Sequence, residues 1–136
     1  MKKLLLAIPL FTITLLAYDL TIEVDGFEND QGRLSIGLYV DAETFPDQDM
    51  EYIGQHVSIL RNKAVAIFKD LPSKTYALAL YHDANSNGVL DKNFFGIPKE
   101  AYGFSNNAKG SFGAPSFDQA KFELTQNTTM HITLGN

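Results

Sequence analysis

The sequence contains no cysteine, which excludes disulfides and lipid attachment through an N-terminal thioether cysteine. It also lacks a G-x-S-x-G elbow, an H-E-x-x-H metal helix and a G-x-x-x-x-G-K phosphate loop, the motifs that most directly announce catalysis. The only side chains suited to proton transfer near neutral pH are His56, His82 and His131, far apart in the chain. No catalytic residue is assigned, and a small hydrolase built from a histidine and loop carboxylates is the least supported of three function classes. Basic residues are few: Lys and Arg total 11 against 16 Asp and Glu, for a formal charge of −5. Nucleic-acid binding needs clustered Lys and Arg, so this balance argues against it and favours a cation, a basic surface or a neutral ligand. No coiled-coil heptad, internal repeat or long amphipathic helix is present.

What is present is 136 residues, 45% of them hydrophobic, enough for one packed domain and no more. The first segment, Met1-Lys2-Lys3 followed by the apolar run Leu4 to Leu16, has the form of a secretory signal. The run is shorter than the roughly 20 residues a spanning helix needs, and Asp19 ends it. Residues 1–17 are therefore expected to be a signal peptide, cleaved after Ala17 although Leu15 is larger than such sites prefer. That leaves no permanent membrane anchor and a periplasmic or secreted destination. Removal of Lys2 and Lys3 moves the balance to 9 − 16 = −7.

Residues 18–136 read as a single all-β domain. Leu20, Ile22 and Val24 alternate with polar residues, as do Leu34, Ile36, Leu38 and Val40 after the turn-forming run Glu28 to Gly32, so the two runs predict a hairpin. Residues 41–52 read as a loop with room for one helical turn. The runs 57–60 and 64–68 predict a second hairpin across residues 61–63, and 120–124 with 128–134 a third across Gln126-Asn127. Tyr76 opens the run 76–82 and occupies the kind of position from which a tyrosine bonds back across a sandwich corner. The expected fold is an antiparallel Greek-key sandwich of about seven strands with one long ordered loop.

That loop, residues 83–119, is too long for a plain connection in a domain of this size, so function is sought there. Asp83, Asn85, Asn87, Val89 and Asp91, with Gly88 after the third oxygen-bearing side chain, follow the opening of a calcium-loop pattern, in which hard oxygens turn toward one point. Phe94 stands where that pattern has its bidentate glutamate. Any calcium site is therefore expected to be weak, with Glu100 as a candidate to complete the shell. The alternative is that these Asp and Asn side chains bond to nearby backbone amides as successive Asx-turns, with no metal and no cofactor of any kind. Phe94, Phe95, Tyr102, Phe104, Asn106 and Asn107 supply rings and amides suited to a ligand or partner surface; alternatively, the rings pack the loop onto the sandwich.

The combination of Phe68-Lys69-Asp70-Leu71-Pro72, Tyr76, His82 to Asp91, Gly96-Ile97-Pro98-Lys99-Glu100 and Tyr102-Gly103-Phe104-Ser105-Asn106-Asn107 resembles the bacterial domain-of-unknown-function family 2141. The resemblance covers Leu20 to Leu134. It implies an exported protein with a sandwich similar to transthyretin-like domains and no assigned activity. The hydroxyisourate-hydrolysing enzyme of that architecture carries a C-terminal Tyr-Arg-Gly-Ser signature, which residues 128–136 lack. The expected function is a non-catalytic envelope module binding a protein, a glycan or a small molecule; the alternatives are a purely structural domain without a ligand and the hydrolase.

Overall fold

The computed structural model describes residues 1–135. Residues 1–16 contribute no strand or helix, and among the described residues no helix is long and apolar enough to cross a membrane. From there the chain forms β1 (Ala17–Asp25), β2 (Arg33–Tyr39), β3 (Ile53–Val57), β4 (Ala64–Pro72), β5 (Thr75–Asp83), β6 (Tyr102–Phe104), a 3-10 turn (Ser105–Asn107), α1 (Phe117–Ala120), β7 (Phe122–Glu123) and β8 (Thr128–Thr133).

The fold is the expected all-β sandwich, with eight strands among the described residues where about seven are expected. One sheet runs β4-β1-β8; the other runs β3-β2-β5-β6, with β7 paired to the start of β5. The alternating apolar positions do what their period demands: Leu20, Ile22 and Val24 from one sheet face Leu34, Ile36, Leu38, Leu78 and Leu80 from the other, in one buried cluster. Each large aliphatic side chain closed off this way contributes roughly 1.5–3 kcal/mol. Tyr76 is buried among them and its hydroxyl donates to the Pro72 carbonyl at 2.6 Å, the backward bond expected of it.

The pairings differ from the sequence reading. β1 and β2 are not a hairpin: β1 pairs antiparallel with β4 and parallel with β8, while β2 pairs with β3 and β5. The second predicted hairpin reduces to a single bridge between Leu60 and Lys63, because the flanking strands β3 and β4 enter different sheets. The third dissolves as well, since β7 pairs with β5 and β8 with β1. Alternation specifies which face of a strand is buried, and says nothing of which neighbour completes its backbone hydrogen bonds.

A second, smaller core covers the outer face of the β2-β5-β6 sheet. Tyr39, Ala77 and Phe104 point outward from the strands and are sealed by Phe45 from residues 41–52 and by Ala120 of α1, with Phe117 packed alongside. Phe45 is the hub, with edge-on ring contacts to Tyr39 at 5.3 Å, Phe104 at 6.0 Å and Phe117 at 5.9 Å. The face that alternation assigns to solvent is thus partly a packing surface, and the connections that cover it build the site described next.

Candidate functional site

Residues 83–100 are held by their own polar groups. Asp83, at the end of β5, has a side chain with no solvent exposure. Its carboxylate accepts from Arg33 Nε at 3.1 Å, from the Asn87 amide at 3.1 Å and from the Gly88 amide at 3.0 Å. Asn85 Oδ1 accepts the Asn87 amide, and Asn87 Oδ1 accepts the amide of Val89 at 3.1 Å. The Nδ2 groups of both asparagines donate to Asp91, one to each oxygen, at 2.8 and 2.9 Å. Glu100 reaches the same loop, where its oxygens accept the amides of Ala84 at 2.8 Å and Asp91 at 2.9 Å. Asp83, Asn85, Asn87, Val89 and Asp91 therefore form one loop, in which N–H donors satisfy both aspartates and Glu100. Among the described residues, no group of three or more His, Cys, Asp or Glu side chains is placed to hold a metal ion.

The two amide donors from Asn87 and Asn85 hold the Asp91 carboxyl below its ordinary value of 3.8. A depressed carboxyl stabilises the fold above its ordinary value, and that contribution disappears as pH falls through the lower, folded-state value. In a carbonyl-carbon NMR titration, Asp91 is expected to titrate below 3.8, and an Asn85→Ala, Asn87→Ala variant to titrate higher. An unchanged midpoint would mean that the amides do not hold the charge.

Beside this loop lies a cleft of about 370 Å³, within the size range of small-molecule sites. Its floor is the outer face of the sheet: Tyr39, Ala79 and Tyr81 from β2 and β5, and Tyr102 and Phe104 from β6. Tyr102 and Phe104 pack edge to face at 5.9 Å. Gln48, Lys92, Gly96, Pro98, Gly113 and Ala114 stand around it. Gln48 Nε2 donates to the Tyr81 hydroxyl at 3.2 Å and also to the Gly88 carbonyl, tying residues 41–52 to the Asp83 loop across the cleft. Burial pushes the Tyr39 and Tyr81 hydroxyls above their usual range, with nearby carboxylates adding to the effect. Both phenols are neutral at ordinary pH; Tyr81 faces the cleft, while the buried Tyr39 donates its hydroxyl to the Asp47 carbonyl at 2.9 Å.

The remaining ring and amide positions separate. Phe94 and Phe95 are exposed and contact one another edge-on at 5.5 Å, outside the cleft lining. Asn106 Nδ2 donates to the carbonyls of Ala120 and Lys121 at 3.1 and 2.9 Å. Asn107 donates to the His131 carbonyl at 3.2 Å and accepts the Thr133 amide at 3.0 Å. These two amides clamp the chain after β6 to α1 and β8, with both residues in the left-handed region that asparagine tolerates.

The three histidines do not meet. His82 is buried, stacks edge-on against Phe27 at 5.2 Å and bonds the Gln31 carbonyl. His56 lies opposite Ser35 and His82 opposite Leu34, so they take opposite faces of one sheet. His131 sits on the other sheet beside Asp25 at 3.0 Å. Sequence reasoning missed Tyr39, Tyr81, Gln48 and Phe45; only the outward parity of Tyr39 and Tyr81 on their strands could have flagged any of them.

A family model described as "Uncharacterized protein conserved in bacteria (DUF2141)" matches residues 22–133, most of the chain. No curated protein and no solved structure matches.

Proposed function

We propose, from the premise that this chain belongs to the bacterial family DUF2141, that it is a non-catalytic binding module of the cell envelope, with its ligand seated in the tyrosine-floored cleft. The cleft itself is the observation that carries this reading. It has the volume of a small-ligand site, a rigid strand-borne floor of rings, and a few polar groups at its edge, the composition that binds planar or sugar-like molecules by stacking and orients them by hydrogen bonds. The dispersal of the histidines supports a non-catalytic role. The cationic and apolar opening segment supports export, and its position outside every strand is compatible with removal. In this reading the Asp83 loop is a scaffold for the cleft wall, held by amides instead of calcium.

Amide NMR spectra recorded against a library of saccharides, short peptides and aromatic acids test it. Binders are expected to shift the signals of Ala79, Tyr81, Gly96, Tyr102 and Gly113 together. Ala79→Phe places a ring in the cleft and is expected to weaken those binders at least about tenfold, the equivalent of roughly 1.4 kcal/mol. If no compound moves these signals, or if binding survives in Ala79→Phe unchanged, the cleft is not the site.

A further inference from the structure

Residues 92–98 and 108–114 carry the most exposed apolar side chains of the sandwich. Phe94 is 97% exposed, Phe95 83% and Ile97 58%, and Phe112 is fully exposed. A large apolar surface left in water on a soluble domain points to something that covers it.

The exposure is built into the first loop. Asn93 Oδ1 accepts the amides of Phe95 at 2.9 Å and Ile97 at 3.1 Å, the Gly96 amide donates to the Asn93 carbonyl at 3.0 Å, and Lys92 bridges to Pro98. Gly96 takes a φ of 76°, open to glycine at little cost. The turn is internally satisfied while its rings stand outside. Gly96 and Pro98 line the same cleft as Gly113 and Ala114, so the two loops project from one side of the molecule.

Within residues 92–116 the charge is opposite to that of the rest of the chain, with the exposed Asp47 on the margin of the same cleft. Residues 92–116 hold Lys92, Lys99 and Lys109 against Glu100 alone, a balance of 3 − 1 = +2; the whole chain is −5, which leaves −5 − 2 = −7 on the remainder. All three lysines are exposed, while both Glu100 oxygens are engaged by backbone amides.

We propose that these two loops form a membrane-facing tip, in which Phe94, Phe95, Ile97 and Phe112 enter the interfacial zone of an anionic lipid bilayer and Lys92, Lys99 and Lys109 meet its headgroup phosphates. Apolar side chains at an interface bind in proportion to the area they bury, and each juxtaposed lysine adds attraction to an anionic surface. Phe and Ile offer no hydrogen-bonding group with which to read a sugar. They protrude as loop tips instead of walling a groove that would receive a peptide. The acidic remainder of the domain orients the molecule by repulsion, directing the basic tip to the surface.

Every strand and both buried clusters lie within residues 17–135, so the domain without the first 16 residues is the species to test. It is mixed with vesicles of phosphatidylethanolamine containing one-quarter phosphatidylglycerol, and separately with vesicles of phosphatidylcholine, and sedimented. Binding is expected to the anionic vesicles, to weaken with salt, and to be far poorer on phosphatidylcholine. Phe94→Ser, Phe95→Ser, Phe112→Ser is expected to weaken it at least about tenfold, and each Lys→Gln change at 92, 99 or 109 about fivefold. The substitutions are on exposed side chains, so the melting temperature is expected to hold. The proposal is overturned if the wild-type domain stays in the supernatant with anionic vesicles, or if the triple Phe variant sediments equally well. It is equally overturned if the wild type proves dimeric and the triple variant monomeric, which would assign the tips to a second copy.

Discussion

Asp83→Ala is expected to lower the stability of the domain by about 3 kcal/mol and its melting temperature by roughly 10 °C, the larger of the two losses argued here. The carboxylate is fully enclosed while Arg33 keeps 31% of its side-chain surface in water, so removal of the acid leaves the cation a route to solvent and the cost falls at the low end for a broken buried pair. The Gly88 amide loses its acceptor at the same time and the Asn87 amide keeps only Asn85 Oδ1 at 3.3 Å, which weakens the turn that brings Asn85 and Asn87 to Asp91. Thermal melts of wild type and variant, run in roughly millimolar calcium and again in chelator, separate two accounts of the same loop. An amide-held scaffold gives the same deficit in both. A calcium site gives a wild type stabilised by the metal and a deficit that shrinks in chelator, because a ligand that binds only the folded state raises its stability by mass action. The second pattern would replace the scaffold reading.

The sequence showed where this loop begins and what it is made of, but not what holds it. The spacing of Asp83, Asn85, Asn87 and Asp91 is visible because turn chemistry is local, and Glu100 is visible as an acid nearby. Arg33 as the partner of Asp83 is not, since the two meet only through the β2-β5 register, in which they lie directly opposite. Gly32 is similar: a Cβ there would stand 2.0 Å from the Asp83 carbonyl, so the turn before β2 presses against the end of β5, a contact that no local pattern announces. Strand faces were legible at Leu20, Ile22 and Val24, and strand partners were not. Phe45 marks the limit most plainly. It sits in an acidic, aperiodic stretch and is nonetheless the centre of the outer core, because a loop buries a side chain by where it folds and not by its period.

Ser105→Ala is expected to cost about 2–3 kcal/mol, the largest loss predicted from removal of a single uncharged atom. Ser105 is fully buried. Its hydroxyl accepts the Leu78 amide at 2.9 Å and donates to the Ala120 carbonyl, joining the middle of β5 to the end of α1. Alanine leaves the Leu78 amide enclosed without that partner while the Ala120 carbonyl keeps Asn106 Nδ2, and a buried group deprived of its bond costs more than the bond itself contributes. The consequence should be regional as well as global. Asn106 depends on the same α1 end through the Ala120 and Lys121 carbonyls, and Phe104, one residue earlier, is part of the cleft floor. Hydrogen exchange in Ser105→Ala is therefore expected to quicken at Leu78, Phe104 and residues 117–121 while β1 and β4, in the other sheet, stay protected. A uniform rise across both sheets would show that the outer core does not open by itself. A confined one would make Ser105 the latch between the packing core and the floor of the cleft, and a ligand that seats on Tyr102 and Phe104 should then slow exchange at those same amides.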